Sequence, residues 1–168
     1  MKIREMQSPL TTYCVVGGCV AVTAIAIIPF VTAQRSPART ITCVSNLKQV
    51  ALATLMYSQD YDEHLPAAKN WMDTTYPYIK SKNTYRCPDL HSSKTTDFGY
   101  AYNASMALKK FTSYKTPATT IMLYDSNSLQ WNASAAGRSG AANPPRHNGM
   151  DNFAFLDGHV KPQTLTGK

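Results

Sequence analysis

"ARTITCVSNLKQVALATLMYSQDY", residues 38 to 61, decides the fold. Cys43, Leu47, Val50 and Tyr57 recur at intervals of four, three and seven, which gathers them on one face of a helix, while Lys48, Gln49, Gln59 and Asp60 fall elsewhere. A helix with a single apolar face must bury it against something, so the stretch predicts a partner layer as well as a helix. Its start is marked by Ser36, which can cap, and by Pro37, whose missing N–H costs nothing in a first turn. Pro66 closes it.

Upstream, no residue between Glu5 and Arg35 carries a charge, and Tyr13 to Ala33 reads YCVVGGCVAVTAIAIIPFVTA. About 20 such residues span a bilayer as a helix. The leading expectation is a retained membrane or assembly helix over residues 13–33, built on Val15, Val16, Val20, Val22, Ile25, Ile27, Ile28 and Phe30, after a basic segment 1–12. With the amphipathic helix at 34–65 it would form one long N-terminal rod, bent at Pro29 or Pro37. A cleaved secretory signal competes, with Lys2 and Arg4 as its basic start and Val31-Thr32-Ala33 as its small-residue site. Against it, the apolar run exceeds the roughly 7 to 15 residues of a signal core. A lipid anchor on Cys19 is the weakest reading, because the apolar run continues past it. Lys2 and Arg4 on one side balance Arg35 and Arg39 on the other, so charge does not set the orientation.

Downstream the texture changes. A short helix or turn over Asn70 to Lys80, interrupted by Pro77, precedes β-prone pieces at Thr84–Cys87, Tyr100–Tyr102, Thr119–Tyr124, Asn152–Leu156 and His159–Lys161. Residues 66–168 therefore predict a head domain with a small antiparallel sheet, and Ser128 to Pro145 reads as a long surface loop. Helix first and sheet later is an α+β arrangement, in which the sheet seats on Cys43, Leu47, Val50 and Tyr57.

Seventeen Lys and Arg against ten Asp and Glu give +7 in 168 residues, but the positive charges are spread from Lys2 to Lys168. Nucleic acid is not an expected partner, since nothing gathers that charge into a patch. Cys43 and Cys87 fall in the part that would be exported, and a disulfide between them or two buried free thiols remain equal readings.

The segment "RHNGMDNFAFLDGHVK", residues 146 to 161, holds His147, Asp151, Asp157 and His159 close together. Asp157-Gly158 between β-prone runs predicts a tight hairpin with positive φ at both central residues. Phe153 and Phe155 would then point from one strand face toward the helix. No cofactor is expected; a calcium ion on His147, Asp151 and Asp157 is the minor alternative. No nucleophile motif, phosphate loop or acid–base carboxylate pair is present, so catalysis is not expected. Asp60, Asp62, Glu63 and His64 read as a solvated helix end at the unfavourable pole of the dipole, which points mildly to a partner cation or a Lys nearby. Asn103 and Asn132 head glycosylation-type sequons.

Cys43-Val44-Ser45-Asn46-Leu47-Lys48-Gln49, with Tyr57, Asp60-Tyr61 and Leu65-Pro66, resembles the stretch after the membrane helix in bacterial type IV pilin-like and type II secretion pseudopilin-like proteins. Cys87-Pro88 is similar to a mid-chain signature of that group, and His147 followed by nine residues and Asp157-Gly158 is similar to its H-x9-D-G segment. The resemblance covers roughly residues 37 to 162 and implies a pilin-like fold and a structural role. It implies a subunit that waits in the inner membrane, then polymerises with its own copies through the N-terminal helix, aided by assembly or secretion machinery, into an extracellular filament or pseudopilus. The superfamily's Glu in the apolar helix is Thr23 here, so its salt link to a neighbour's N-terminus is not carried over. The loop Ser128–Pro145, with Tyr124 and Trp131, would supply subunit contacts or a displayed face. The rival reading is a secreted soluble binding module released after Ala33.

Overall fold

The computed structural model describes residues 35–90, 92 and 94–164. The chain divides into two units, Met1–Ala38 and Arg39–Lys168, and the second carries the sheet. Helix α1 runs Arg35–Asp60 and helix α2 Trp71–Ile79. The strands are β1 (Tyr100–Asn103), β2 (Ile121–Asp125), β3 (Ser134–Ala135), β4 (Asp151–Phe155) and β5 (Val160–Gln163). They form one sheet in the order β3-β1-β2-β4-β5.

Two expectations about the fold are corrected. A long N-terminal helix with an apolar half is not shown: α1 has 26 residues, carries Arg35, Arg39 and Lys48, and is an amphipathic packing helix. Among the described residues no helix is long and apolar enough to cross a membrane, and residues 13–33, with the assembly positions Val15 to Phe30, lie outside them. Nor is the sheet purely antiparallel. β1–β2, β2–β4 and β4–β5 are antiparallel, but β3, inside the segment read as loop, pairs parallel to β1 through Tyr102–Ser134 and Asn103–Ala135.

The face of α1 that meets the sheet carries Cys43, Leu47, Val50, Ala51 and Thr54, all without solvent exposure. Their spacing of four, three, one and three is a helix stripe, and each of the large apolar side chains contributes about 1.5–3 kcal/mol on burial. Tyr57 is only half-buried at the edge of the stripe, stacked on Tyr61 at 4.2 Å. Arg35 is already helical, so Pro37 lies inside the first described turn and does not open the helix.

Opposite that stripe stand Tyr100, Tyr102, Met122, Leu123, Ala154 and Leu156, joined by Leu65, Trp71, Met72 and Tyr85. Trp71 stacks near Tyr102 at 5.9 Å and donates its indole N–H to the Ala133 carbonyl at 2.9 Å, which satisfies its only polar atom. Phe153 and Phe155 do not point toward α1. With Ala101, Tyr124 and Ala133 they fill the other face, beneath the segment 133–141, where the Arg138 guanidinium lies 4.9 Å from the Phe153 ring. Period two alone cannot say which face meets the helix. The small Ala154 admits α1 closely, and the bulky rings take the side that a loop can cover.

Pro77 sits late in α2, and Lys80 closes that helix in the left-handed conformation, its N–H on the Tyr76 carbonyl. Thr84–Cys87 is not a strand; its first half is a 3-10 turn, Lys82–Tyr85.

Candidate functional site

Three pieces of sequence far apart in the chain meet at one buried point: the third turn of α1, the Cys87-Pro88-Asp89 loop, and His147. Cys43 and Cys87 are disulfide-bonded, with Cα atoms 4.9 Å apart, which answers the question the sequence left open. Around the bond, Tyr100 donates its hydroxyl to the Cys43 carbonyl at 3.1 Å, and Asn46 donates to the Arg86 carbonyl at 3.0 Å. Gly99 passes so near that a Cβ there would stand 3.2 Å from Cys87 Cβ and 2.9 Å from Leu90 Cδ1.

His147 is 2% exposed, and both of its ring nitrogens are engaged. Nδ1 lies 2.7 Å from Asp89 Oδ2, an oxygen that also accepts the Thr40 hydroxyl at 3.1 Å. Nε2 lies 3.0 Å from Asp125 Oδ2 and 3.5 Å from Cys87 Sγ. Burial works against a charge on the imidazole, but hydrogen bonds and the field of Asp125 and Asp89 outweigh it, and its pKa stands above the usual histidine value.

Asp125, at the end of β2, is wholly buried and saturated. Its Oδ2 accepts the Asn152 N–H at 2.7 Å, and its Oδ1 faces Arg146 Nη1 at 3.4 Å. Arg146 also donates to the Gly99 carbonyl at 3.1 Å and the Ser126 carbonyl at 2.6 Å. Asp151 accepts the Arg146 N–H on Oδ1 at 2.9 Å, while its buried Oδ2 has no partner. Burial, with the Asp125 charge added, raises its carboxyl to about 6, against the lowering effect of the Arg146 contacts. The cluster is thus three carboxylates, Asp89, Asp125 and Asp151, with one guanidinium around a histidine, charges that a protein interior tolerates so far as they pair with one another.

The hairpin at the other end of the motif is separate from this cluster. Phe155 and His159 bracket a three-residue loop, with Gly158 donating to the Phe155 carbonyl at 2.9 Å and Phe155 to the His159 carbonyl at 2.9 Å. In this loop Gly158 takes positive φ (87°) and Asp157 does not, so the connection is a turn closed by a glycine bulge instead of the two-residue turn expected. Asp157 is exposed and pairs with His159 Nδ1 at 2.6 Å. Burial would raise its carboxyl slightly, but the His159 bonds and charge hold it below the ordinary value. His147 and Asp157 of the calcium reading therefore serve different partners.

The remaining sequence candidates have structural work. Asp60 accepts the Tyr78 hydroxyl at 2.7 Å, which holds that phenol up at about 12, and Glu63 accepts the Thr112 hydroxyl at 2.9 Å. These two carboxylates accept from hydroxyls, and Lys109 and Lys110 lie beside the same helix end, with Lys110 bridged to His64 through the backbone. Asn103 is buried and bonds Ser105, Ile121 and Gly137, so its sequon is closed once the chain folds. Asn132 bridges Met72 and Asp73. Tyr124 is fully buried and cannot form part of a displayed face, while Trp131 is half-buried against Phe98 and Tyr85.

Sequence reasoning does not reach Asp89, Asp125 or Arg146. Asp89 directly follows the Cys-Pro pair, the only local signal any of them offers. The chain matches no family model, no curated protein and no solved structure.

Proposed function

We propose that the chain is a pilin-like or pseudopilin-like structural subunit, assembling through its N-terminal segment into an extracellular filament or secretion pseudopilus with the unit from Arg39 onward as its exposed head. The observation that carries this reading is the outward side of α1. Positions 41, 52 and 56 fall within one 60° arc of a helix at 100° per residue. They hold Ile41, Leu52 and Met56, which are 70%, 46% and 49% exposed. Exposed Ser45 and Gln59 share that arc and Leu52 borders Gly158 of the hairpin, but Ile41 and Met56 bury little of their apolar surface inside the monomer. Copies stacked along it, repeating one heterologous contact, would bury it and give an open polymer.

The buried cluster supports the same reading from the other side. His147 is sealed and doubly bonded, so no substrate reaches it, and the cluster ties elements together as a structural head requires. The apolar run at 13–33 would rest in the inner membrane before assembly and among sister copies afterwards.

The test uses the full chain in cells. Leu52→Asp with Met56→Asp should leave the disulfide-bonded head folded and resistant to protease while sheared surface material loses its filaments under the electron microscope. Ile25→Asp should do the same and also reduce membrane retention. Unchanged filaments from both variants, or a mature monomer whose first residue is Gln34, would replace this proposal with the secreted binding module.

A further inference from the structure

Cys43, Cys87 and His147 present Sγ, Sγ and Nε2 within 4.8 Å of one another, all three residues buried. From this juxtaposition we infer that, once the disulfide is reduced, Cys43, Cys87 and His147 form a three-ligand site for zinc, with solvent completing the fourth position. The inference stands apart from the assembly proposal and shares no residue with the stripe that carries it.

The donor set is the first reason. Two thiolates and an imidazole nitrogen suit zinc, a borderline-soft four-coordinate ion that accepts three protein ligands and a water. The spacing is the second. With Zn–S of about 2.3 Å and Zn–N of about 2.0 Å, a tetrahedral S–Zn–N edge is about 3.5 Å. Cys87 Sγ and His147 Nε2 stand 3.5 Å apart. Breaking the S–S bond frees the sulfurs to separate to the about 3.8 Å that two thiolates on one zinc adopt.

The outer shell is the third reason. A zinc-bound histidine characteristically gives its other ring N–H to a carboxylate, which fixes the tautomer and aims the ligating nitrogen. Asp89 stands in that position on Nδ1, itself held by Thr40. Two thiolates neutralise the charge of a zinc ion, so the buried site gains no net charge on loading. Access is the fourth. A surface cavity of about 430 Å³, lined by Thr42, Asn46, Asn83, Arg86 and Ser92, opens on Cys87.

The chemistry balances with a dithiol as reductant. Two electrons and two protons pass to the sulfurs of Cys43 and Cys87 as their bond breaks, and the dithiol closes its own disulfide. Zinc then displaces both thiol protons, and the Nε2 proton of His147 where it is present, to solvent.

The full chain, held in detergent, is reduced with a dithiol, freed of it by gel filtration without oxygen, and titrated with cobalt(II) and then zinc(II). The expected result is one cobalt per chain, with thiolate-to-cobalt charge transfer in the near ultraviolet and the intense visible bands of a tetrahedral ion, both abolished by zinc. The oxidised chain should show neither. Asp89→Asn should weaken cobalt binding by about ten- to a hundredfold, the usual cost of losing the group that orients a ligating histidine, and His147→Gln by more. Circular dichroism accompanies each variant, and if His147→Gln does not fold, Asp89→Asn carries the comparison. Absence of thiolate charge transfer in the reduced chain, unfolding on reduction that cobalt does not reverse, or equal affinity in Asp89→Asn would overturn the inference.

Discussion

His147 Nε2 rests 3.0 Å from Oδ2 of Asp125, and neither side chain reaches solvent. The pair joins the end of β2 to the segment that leads into β4, and Asp125 also takes the Asn152 N–H, so one carboxylate sets the register of two neighbouring strands. Replacing Asp125 by Asn removes the charge while keeping the shape. The expected loss is about 3–5 kcal/mol in urea unfolding, because Arg146 loses its buried counter-charge and His147 keeps only the carboxylate of Asp89. In a double-mutant cycle, Asp125→Asn with His147→Gln should cost clearly less than the sum of the two singles. Additive losses would show that the contact carries no coupling.

Acidity should strengthen the fold. His147 has a raised pKa in the folded chain, so its contribution is complete below the unfolded value of about 6.5 and disappears as pH rises through the folded one. Asp151 acts in the same direction. Its carboxyl is raised from 3.8 to about 6 on folding, so the fold binds a proton that the unfolded chain has released, and stability declines as pH climbs between those values. The groups facing the pair are Asp89, Asp125, Cys87 and Arg146. Unfolding free energy of the disulfide form, followed from pH 8 down to pH 5, should rise. In Asp151→Asn the limb between about pH 4 and 6 should flatten, with stability at pH 7 increased by roughly 2–3 kcal/mol. A curve that falls on acidification over that range contradicts both assignments.

The covalent link closes a loop with a sequence separation of 44. Chain-entropy arguments assign such a link about 4 kcal/mol at 25 °C, and measured values are commonly about 2–4 kcal/mol. Cys43→Ala with Cys87→Ala should lower the urea midpoint accordingly, without a new transition. No change in midpoint would mean that the charges around His147 alone hold the loop to α1.

Gly99 offers a test of packing around the same point. Adding one methyl group brings it to 2.9 Å from Leu90 Cδ1 and 3.2 Å from both Cys87 Cβ and Arg146 Nη1. Two of these neighbours are anchored, the cysteine by its bond and the arginine by two backbone carbonyls. Gly99→Ala should therefore cost about 1–3 kcal/mol by overpacking. Gly137→Ala meets no atom within 4 Å but occupies a positive φ (60°), so its smaller cost would come from backbone strain alone.

Part of this architecture is legible in the chain and part is not, for identifiable reasons. Cys43, Leu47 and Val50 announce their buried face because helix periodicity repeats over several turns; Tyr57 drifts off that face because three-and-four spacing tolerates an edge position, and only the structure shows that Ala51 and Thr54 lie nearer the centre. The hairpin is legible from Asp157-Gly158, but its length is not, since the same dipeptide serves a two-residue turn or a glycine bulge. Phe153 and Phe155 take the face opposite to the one expected because alternation fixes which residues agree and not which side meets the helix. Two-residue β3 carries too little pattern to be seen. Asp89 and Asp125 leave no trace in the sequence pattern, as they meet His147 only through contacts 58 and 22 residues away in the chain.

Cys43 sits in the third turn of α1, and its covalent partner Cys87 belongs to a loop. Tension entering from the N-terminal end of that helix is therefore handed across a bond at Cys43, well before it could peel the remaining turns, Val44 to Asp60, from their seat. The turns of α1 before Cys43 can thus unwind under load while Val44 to Asp60 keep their packing on the sheet.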